Sequence, residues 1–359
     1  MYDPKNLLRS LCDACGPSGY EDEVRAVIVR EAKKHSPQVD VDSMGNVYAE
    51  LRGSGDGPKI LIASHMDEVG FMINFVEESG FLRFIPLGTI DPKVLLAQRV
   101  TVMNKGDRCI GVIGTKPVHV QSAKELESPV AMNDLYIDVG ARSKVELIEK
   151  GIDIGTTATF YSPFMESGIN GSIVIGKAID DRSGCAAALM AMEMLSGEKL
   201  LGNVTFAFTV QEEVGLRGAT VAANRVQPEL AIVLETAPSA DLPNISPRDR
   251  ITSVGKGPTI RIMDRTMITQ RKILDYLRKV ADSNRIPYQL QLYSGGGTDA
   301  GQIHLSGRGI PTGVISVPSK YLHTSTLMLD VEDLNREVEL VQKVLLGIKS
   351  ADQFIYSSN

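Results

Sequence analysis

The order of strand-like and helix-like segments constrains this chain most, because it changes character twice. Near the start, Ser18-Gly19-Tyr20-Glu21 has the Ser/Glu spacing of a capping box and precedes the periodic run EVRAVIVREAKKH, which predicts a helix over about 19–35. Strands are expected at VDVDSMGNVYAEL and PKILIASHMDEVG. Residues 58–64 of the second are almost continuously apolar, as a strand covered on both faces requires. Between about 70 and 165 helical periodicity nearly vanishes. FMINFVEE, FLRFIPLG, RVTVMNKG, CIGVIGT, LYIDVGA and TATFYSPF are short, β-rich and separated by Gly, Asp, Asn or Pro, the pattern of a small barrel or sandwich. Alternation then resumes. GSIVIGKAI, NVTFAFTV, ELAIVLE, PTIRIMD, YQLQLY and PTGVISV read as strands; RSGCAAALMAMEML, LRGATVAANRV, about 266–284 and VEDLNREVELVQKVLLGIK read as helices.

The fold class that follows is α/β: an open, mostly parallel sheet with helices on both faces, formed by residues 1–69 and 166–359. Residues 70–165 are expected as an inserted small β-barrel-like domain.

A chain of 359 residues, 43% hydrophobic and 23% charged, has the composition of a soluble globular enzyme. Its net charge is -6 and its basic residues are scattered, so neither nucleic acid nor an anionic membrane is expected as a partner. The N-terminal MYDPKNLLRSL lacks the features of a secretory signal, and no apolar run is long enough to cross a bilayer, which predicts a cytoplasmic location. Cys12, Cys15, Cys109 and Cys185 are too few and too irregularly spaced for a disulfide framework. Cys12 and Cys15 form a CxxC, but LLRSLCDACG reads as the end of a short amphipathic helix with small apolar residues, not as a redox or zinc motif.

In an open α/β sheet, ligands bind beyond the carboxyl ends of the strands. His65 falls at the end of KILIAS, and Asp67, two residues on, points to the same side of an extended chain. There it can accept the second imidazole N–H and leave the other nitrogen free for a metal. Asp180 and Asp181 follow IVIGKAI and precede a helix; Glu212 and Glu213 follow VTFAFTV; Glu235 follows AIVL; His323 comes after VISVPSKYL. Each has an ordinary explanation when taken alone. A strand-end His is usually hydrogen-bonded, Asp181 suits a helix N-cap, and Glu212-Glu213 suits a solvated pair opening a helix. The set changes the reading, because so many acidic and imidazole groups converging on one edge would repel unless cations lay among them. His35, on a charged helix face, His119, in the β-rich insert, and His304, in an apolar helix pattern, are not expected to join them.

Through SGYEDEVR, SHMDEVGFM, LLAQRVTV, GVIGTKP, KAIDDRSGC, VQEEVGLRGA, GGGTDAGQIHL and YLHT, over nearly its whole length, the sequence resembles the cytosolic aminopeptidases that form large tetrahedral particles, with glutamyl, leucyl and deblocking members. The resemblance implies two divalent metal ions per subunit, zinc or cobalt with manganese also compatible, held by His65, Asp180, Glu213, Glu235 and His323. It implies Asp180 as the bridging carboxylate, His65 and Glu235 completing one site and Glu213 and His323 the other, Glu212 as general base, and Asp67 as the carboxylate behind the ligands. It further implies peptide substrates, and a β-rich insert that makes a dimer contact in a homo-oligomer whose dimers assemble into a tetrahedral dodecamer. Three positions depart from the family pattern: Glu235 is often Asp in relatives, Ser64 is commonly Ala or Gly, and Asn244 stands where Gly is common.

Those residues suit a metallo-aminopeptidase. Three carboxylates contribute about -3 against +4 from two divalent ions, so a hydroxide bridging the metals brings the cluster near neutrality. Glu212 then takes the proton of the attacking water and returns it to the leaving amine. The loop Ser294-Gly295-Gly296-Gly297-Thr298-Asp299 either lets a substrate backbone approach closely or is a strand-to-helix turn capped by Thr298 or Asp299. It lacks the Lys-Ser/Thr ending of a phosphate loop. Other readings stay open at this point. A carboxylate-pair glycoside hydrolase would leave two histidines unexplained, a metal-binding scaffold would need no base at Glu212, and a di-metal deacylase or carboxypeptidase would hold its substrate's terminus differently.

Overall fold

Ile60–His65, the strand with the unbroken apolar run, is buried at all six positions. It pairs parallel with Val204–Thr209 on one side and Leu230–Pro238 on the other, and Leu230–Pro238 pairs parallel with Thr312–Lys320. In the computed structural model, which describes residues 2–104, 107–167 and 169–356, these four strands are the parallel centre of an eleven-stranded sheet. Outside Val204–Thr209, the strands Val47–Leu51 and Val39–Val41 follow in antiparallel pairing. Beyond Thr312–Lys320 come Leu327–Asp330, Ile173–Gly176 and Met165–Glu166, again antiparallel. Thr259–Met263 also pairs antiparallel with Thr312–Lys320 and carries Gln289–Leu292 in parallel. The sheet is thus mixed: parallel where helical crossovers cover both faces, antiparallel at its margins, where short connections suffice.

The two-residue period of a strand sorts the core into two layers. Ile60 and Ile62 pack with the buried faces of Pro4–Cys12, Asp22–Ala32, Ile179–Leu195, Arg271–Asn284 and Val331–Gly347. Leu61 and Ala63 pack on the other side against Arg217–Val226 and Ala300–Ile303. The alanines of Ile179–Leu195 let this almost wholly buried helix lie close to the sheet. All four cysteines are free, and Cys12 closes the first helix, as the apolar-helix reading expects.

The expected capping box is not formed. The second helix begins at Asp22, Glu21 stands before it without a side-chain cap bond, and the helix ends at Ala32, shorter than 19–35 at both ends. Ser18 is instead turned to Asp67, and Glu21 accepts from the backbone N–H groups of Gly19 and Gln211. Tertiary partners have claimed the side chains that a local motif would have used.

The β-rich segment closes into a six-stranded barrel in the order Gly70–Val76, Leu82–Leu87, Tyr136–Asp138, Asp107–Gly114, Arg99–Asn104, Thr157–Phe160, with the last pairing back to the first. It has its own core, in which the Phe71 ring meets Phe84 and Phe160 edge-to-face at centroid distances of 5.0 and 5.3 Å. A buried polar clasp ties it to the sheet. Glu68 accepts from Lys177 Nζ at 2.7 and 2.9 Å, from the Gly16 N–H at 3.0 Å, and from Thr159 Oγ1 of the barrel at 2.7 Å. The guanidinium of Arg182 lies 3.6 Å away.

Candidate metal centre

The cleft that gathers the candidate ligands lies at the carboxyl edge of the parallel strands, and abrupt turns deliver them there. Ala178, Gln211 and His323 all adopt left-handed backbone conformations, with φ of 56°, 56° and 58°. Each costs a non-glycine residue on the order of 1–3 kcal/mol, so the surrounding contacts must hold it. These turns immediately precede or contain the segments that bear Asp180, Glu212, Glu213 and His323. Glu235 arrives differently. The sequence pattern ends its strand at about Glu235, but the strand runs through to Pro238 with Glu235 opposite Ser316, so its carboxylate enters the cleft from within the sheet.

Asp180 is the geometric centre. Its Oδ1 lies 3.5 Å from His65 Nε2 and its Oδ2 lies 3.5 Å from His323 Nε2, which is also 3.4 Å from Glu213 Oε2. Donor atoms of His65, Asp180 and Glu213 lie within 4.8 Å of one another, and so do those of His65, Asp181 and Glu235. Asp181 performs the ordinary capping role too: its Oδ1 accepts from the Gly184 N–H and from Thr236 Oγ1, while its buried Oδ2 has no partner. Glu212 Oε2 stands 4.0 Å from His65 Nε2.

Each imidazole presents Nε2 to the cleft because its Nδ1 is engaged behind. His65 Nδ1 is 3.1 Å from the Asp67 backbone carbonyl and 3.4 Å from the Asp67 carboxylate, so the expected partner is present with its main chain as the closer acceptor. His323 Nδ1 donates to the carbonyl of Thr89, at 2.6 Å. Thr89 belongs to the insert, so the barrel helps to orient a group in the sheet's cleft. Gly88 beside it has φ of +89°, and an added Cβ would meet Val69 at 2.8 Å and Glu213 at 3.3 Å. No sequence signal identifies Thr89, because its contribution is a main-chain oxygen.

The charges show what the cluster lacks. Burial disfavours a charged His65, yet Glu212, Asp180 and Asp67 outweigh it and push its pKa well above the ordinary value. Burial likewise opposes the charged form of His323, but Glu213 and Asp180 raise it to about 10. Burial pushes Glu213 up to about 7 and Glu235 up to about 8, with the charge of Asp180 adding to both. For Asp180, the hydrogen bonds from His323 and His65 outweigh burial and hold it below the usual carboxylate range. A cluster that draws protons onto imidazoles and carboxylates alike is short of positive charge, and its oxygen and nitrogen donors suit divalent cations. The residues present therefore fit metal ions.

The cleft, about 750 Å³, extends past the cluster to the glycine loop, Arg261, Arg265 and Tyr293, with Thr89 and Asp91 on the barrel side. Asp299 makes no cap bond; it is buried and accepts from Thr209 Oγ1, with Oδ1 unpartnered. The other histidines stay apart. His35 is half-buried against the Tyr2 hydroxyl, not solvated as its helix face implies; His119 is exposed in the insert; His304 is bonded to the Ala300 carbonyl.

Strand-end carboxylates and imidazoles gathered in a deep cleft, with too little positive charge of their own, place the protein among metal-dependent hydrolases. The chain belongs to the M42 glutamyl aminopeptidase family, whose model matches residues 45–340, and is thus a metal-dependent aminopeptidase. It is 37% identical to an aminopeptidase of the archaeon Desulfurococcus kamchatkensis, with a TM-score of 0.92 over 98% of this chain and 96% of that one. The TET1 peptidase of Pyrococcus horikoshii, which can assemble into a tetrahedron or a large octahedral shell, is 35% identical with a TM-score of 0.85 over 96% of this chain and 100% of that one. The lysyl aminopeptidase of Pyrococcus furiosus is 31% identical over 96% of this chain and 98% of its own length.

Proposed function

We propose that the protein removes N-terminal residues from peptides with two divalent cations held by His65, Asp180, Glu213, Glu235 and His323. Asp180 would reach both cations, with His65 and Glu235 holding one beside it and Glu213 and His323 the other. The observation that carries this reading is the splayed carboxylate of Asp180, with one oxygen 3.5 Å from His65 and the other 3.5 Å from His323. When bound, the cations polarise the scissile carbonyl and make water acidic enough to lose a proton near neutral pH. Zinc or cobalt suits the N/O donor set, with manganese also compatible.

Glu212 is the general base. It is buried beside His65 without belonging to either donor set, so its carboxylate takes a proton from the attacking water and hands it to the leaving amine. Asp67 positions it: the Glu212 N–H donates to Asp67 Oδ1 at 2.9 Å and the Glu213 N–H to Asp67 Oδ2 at 3.2 Å. Residues 1–69 and 166–359 form the catalytic domain, and 70–165 is the inserted domain through which dimers form and assemble into a tetrahedral dodecamer. The assembly of the P. horikoshii relative supports that part. A cytoplasmic location accords with the described residues, in which no helix is long and apolar enough to cross a membrane.

The test is a panel of aminoacyl chromogenic substrates assayed after chelation and after separate return of zinc, cobalt and manganese. Activity abolished by chelator and restored by one or more of these ions is expected. Hydrolysis that survives chelation, or that requires a free carboxyl terminus instead of a free amino terminus, would overturn the reading.

A further inference from the structure

Buried side chains from other segments hold the turn that carries Glu212 and Glu213. The chain leaves Val204–Thr209 at the carboxyl edge of the sheet, and four successive main-chain N–H groups each donate to a side chain. Val210 donates to Asn46 Oδ1 at 2.9 Å, Gln211 to Glu21 Oε1 at 3.2 Å, Glu212 to Asp67 Oδ1 at 2.9 Å and Glu213 to Asp67 Oδ2 at 3.2 Å. Gln211 is the left-handed residue directly before Glu212, with φ of 56°, so the bond from its N–H fixes the direction in which the chain enters the cleft. Glu21 is fitted to that task. It is 1% exposed and makes no helix-cap bond, and its Oε1 also accepts from the Gly19 N–H at 2.6 Å, so two segments fix one oxygen. Ser18, beside Gly19, fastens the same stretch to Asp67.

We propose that Glu21 is a positioning residue for the general base: through the Gln211 N–H it sets the stretch of backbone from which the Glu212 carboxylate projects. Glu212 and Glu213 depend on this turn unequally. Coordination would by itself fix the Glu213 carboxylate, whereas no hydrogen bond among the described residues holds that of Glu212, so the main chain alone sets its place. Loosening the turn therefore slows turnover and spares metal binding; a misplacement of about 1 Å costs on the order of 10²-fold in rate. What Glu21 supplies is reach and not charge. Burial pushes its pKa up to about 7, and the charge of Asp67 adds to the rise. An uncharged amide oxygen at the same distance can thus take its place, whereas a shorter carboxylate cannot. The inference rests on the reading of Glu212 as the base and extends it to the segment before the second helix.

The experiment measures kcat, KM and zinc content for Glu21→Gln, Glu21→Asp and Glu21→Ala in the zinc-loaded enzyme, with the aminoacyl p-nitroanilide that the wild type cleaves best. Glu21→Gln is expected to keep kcat within about threefold of wild type, and Glu21→Asp and Glu21→Ala to lose about 10- to 100-fold, with KM and zinc content within about twofold throughout. In a Glu212→Gln background, Glu21→Ala is expected to cost no further kcat, because the base it would displace is gone. Four results would overturn the inference: full kcat in Glu21→Ala, an active Glu21→Asp beside an inactive Glu21→Gln, zinc lost in step with kcat, or losses that multiply in the double variant. Should Glu21→Asp and Glu21→Ala fail to fold, Glu21→Gln and hydrogen exchange decide. A slow Gln211 amide in both wild type and Glu21→Gln is then expected, and a wild-type amide that exchanges as fast as an exposed one would refute the positioning role. Full turnover in Glu212→Gln would sink the base reading and this inference together. An impaired Glu212→Gln beside an unimpaired Glu21→Ala would sink this inference alone.

Discussion

Ser18 Oγ donates a 2.6 Å hydrogen bond to Asp67 Oδ2. The same carboxylate accepts from the N–H groups of Glu212 and Glu213 and lies behind the His65 ring, so one buried anion sets the placing of three neighbours in the cleft. These hydrogen bonds and His65 outweigh burial and keep Asp67 ionised below the usual carboxylate range. The segment before the second helix thereby supports the catalytic edge of the sheet.

Asp67→Asn is isosteric, but it replaces one acceptor oxygen with an amide donor facing other donors. Metal affinity is expected to fall about 10- to 100-fold, as for other groups that orient ligands from behind. Ser18→Ala removes one hydrogen bond to a charged acceptor and is expected to cost about 1.5–3 kcal/mol of stability. Metal titration monitored by calorimetry checks the first, and chemical denaturation the second. Unchanged metal affinity in Asp67→Asn would show that His65 is oriented by the Asp67 carbonyl alone.

Glu212→Gln keeps size and hydrogen-bonding capacity while removing the proton acceptor. We expect both cations to be retained and kcat to drop by about 10²- to 10⁴-fold. Metal content by elemental analysis beside steady-state kinetics separates the two effects. A variant with full turnover would exclude Glu212 as the base.

The placing of His65, Asp180, Glu212, Glu213 and His323 was legible because a change of hydrophobic period marks where a strand stops, and loops at that point face the cleft. Glu235 lies in the cleft as expected, but its strand runs on past it because no Gly or Pro breaks the strand before Pro238. Leu327–Asp330 was hidden between a loop and a helix, too short to show alternation. Ser18 and Glu21 fit a local capping pattern, and only the folded chain reveals that Asp67 and Gln211 claim them. Thr89 acts through its carbonyl, which every residue type carries. Such contacts are properties of the tertiary arrangement and leave no mark in periodicity.

Without metal, the raised groups dictate how stability varies with pH. Glu213 at about 7, Glu235 at about 8 and His323 at about 10 bind more protons folded than unfolded. Their contributions are complete below the unfolded pKa values and vanish as pH rises through the folded ones. Asp67 and Asp180, which are lowered, act in the opposite sense but only in the acid range. The Tm of the chelated protein is therefore expected to fall as pH rises from about 4.5 to about 10. Cations replace those protons, so the Tm difference between metal-loaded and chelated protein should widen over the same interval. Calorimetric scans with chelator or with zinc test this; a gap that narrows as pH rises would contradict it.

Glu68 offers a test of how the barrel is coupled to the cleft. Its carboxylate is buried together with Lys177, and among the described residues Thr159 alone reaches it from the barrel with a hydrogen bond. Glu68→Gln leaves the ammonium of Lys177 buried without a countercharge, which typically costs about 3–5 kcal/mol. Thr159→Val removes only the barrel's bond to the anion, at about 1.5–3 kcal/mol. Because Lys177 lies three residues before Asp180, the first change is expected to weaken metal binding as well as stability. The second should chiefly loosen Thr157–Phe160, raising amide exchange there while metal affinity at the His65 side is kept. If Thr159→Val lowered metal affinity as much as Glu68→Gln, barrel docking itself would be organising the centre, and the route through Thr89 and His323 would become the stronger explanation.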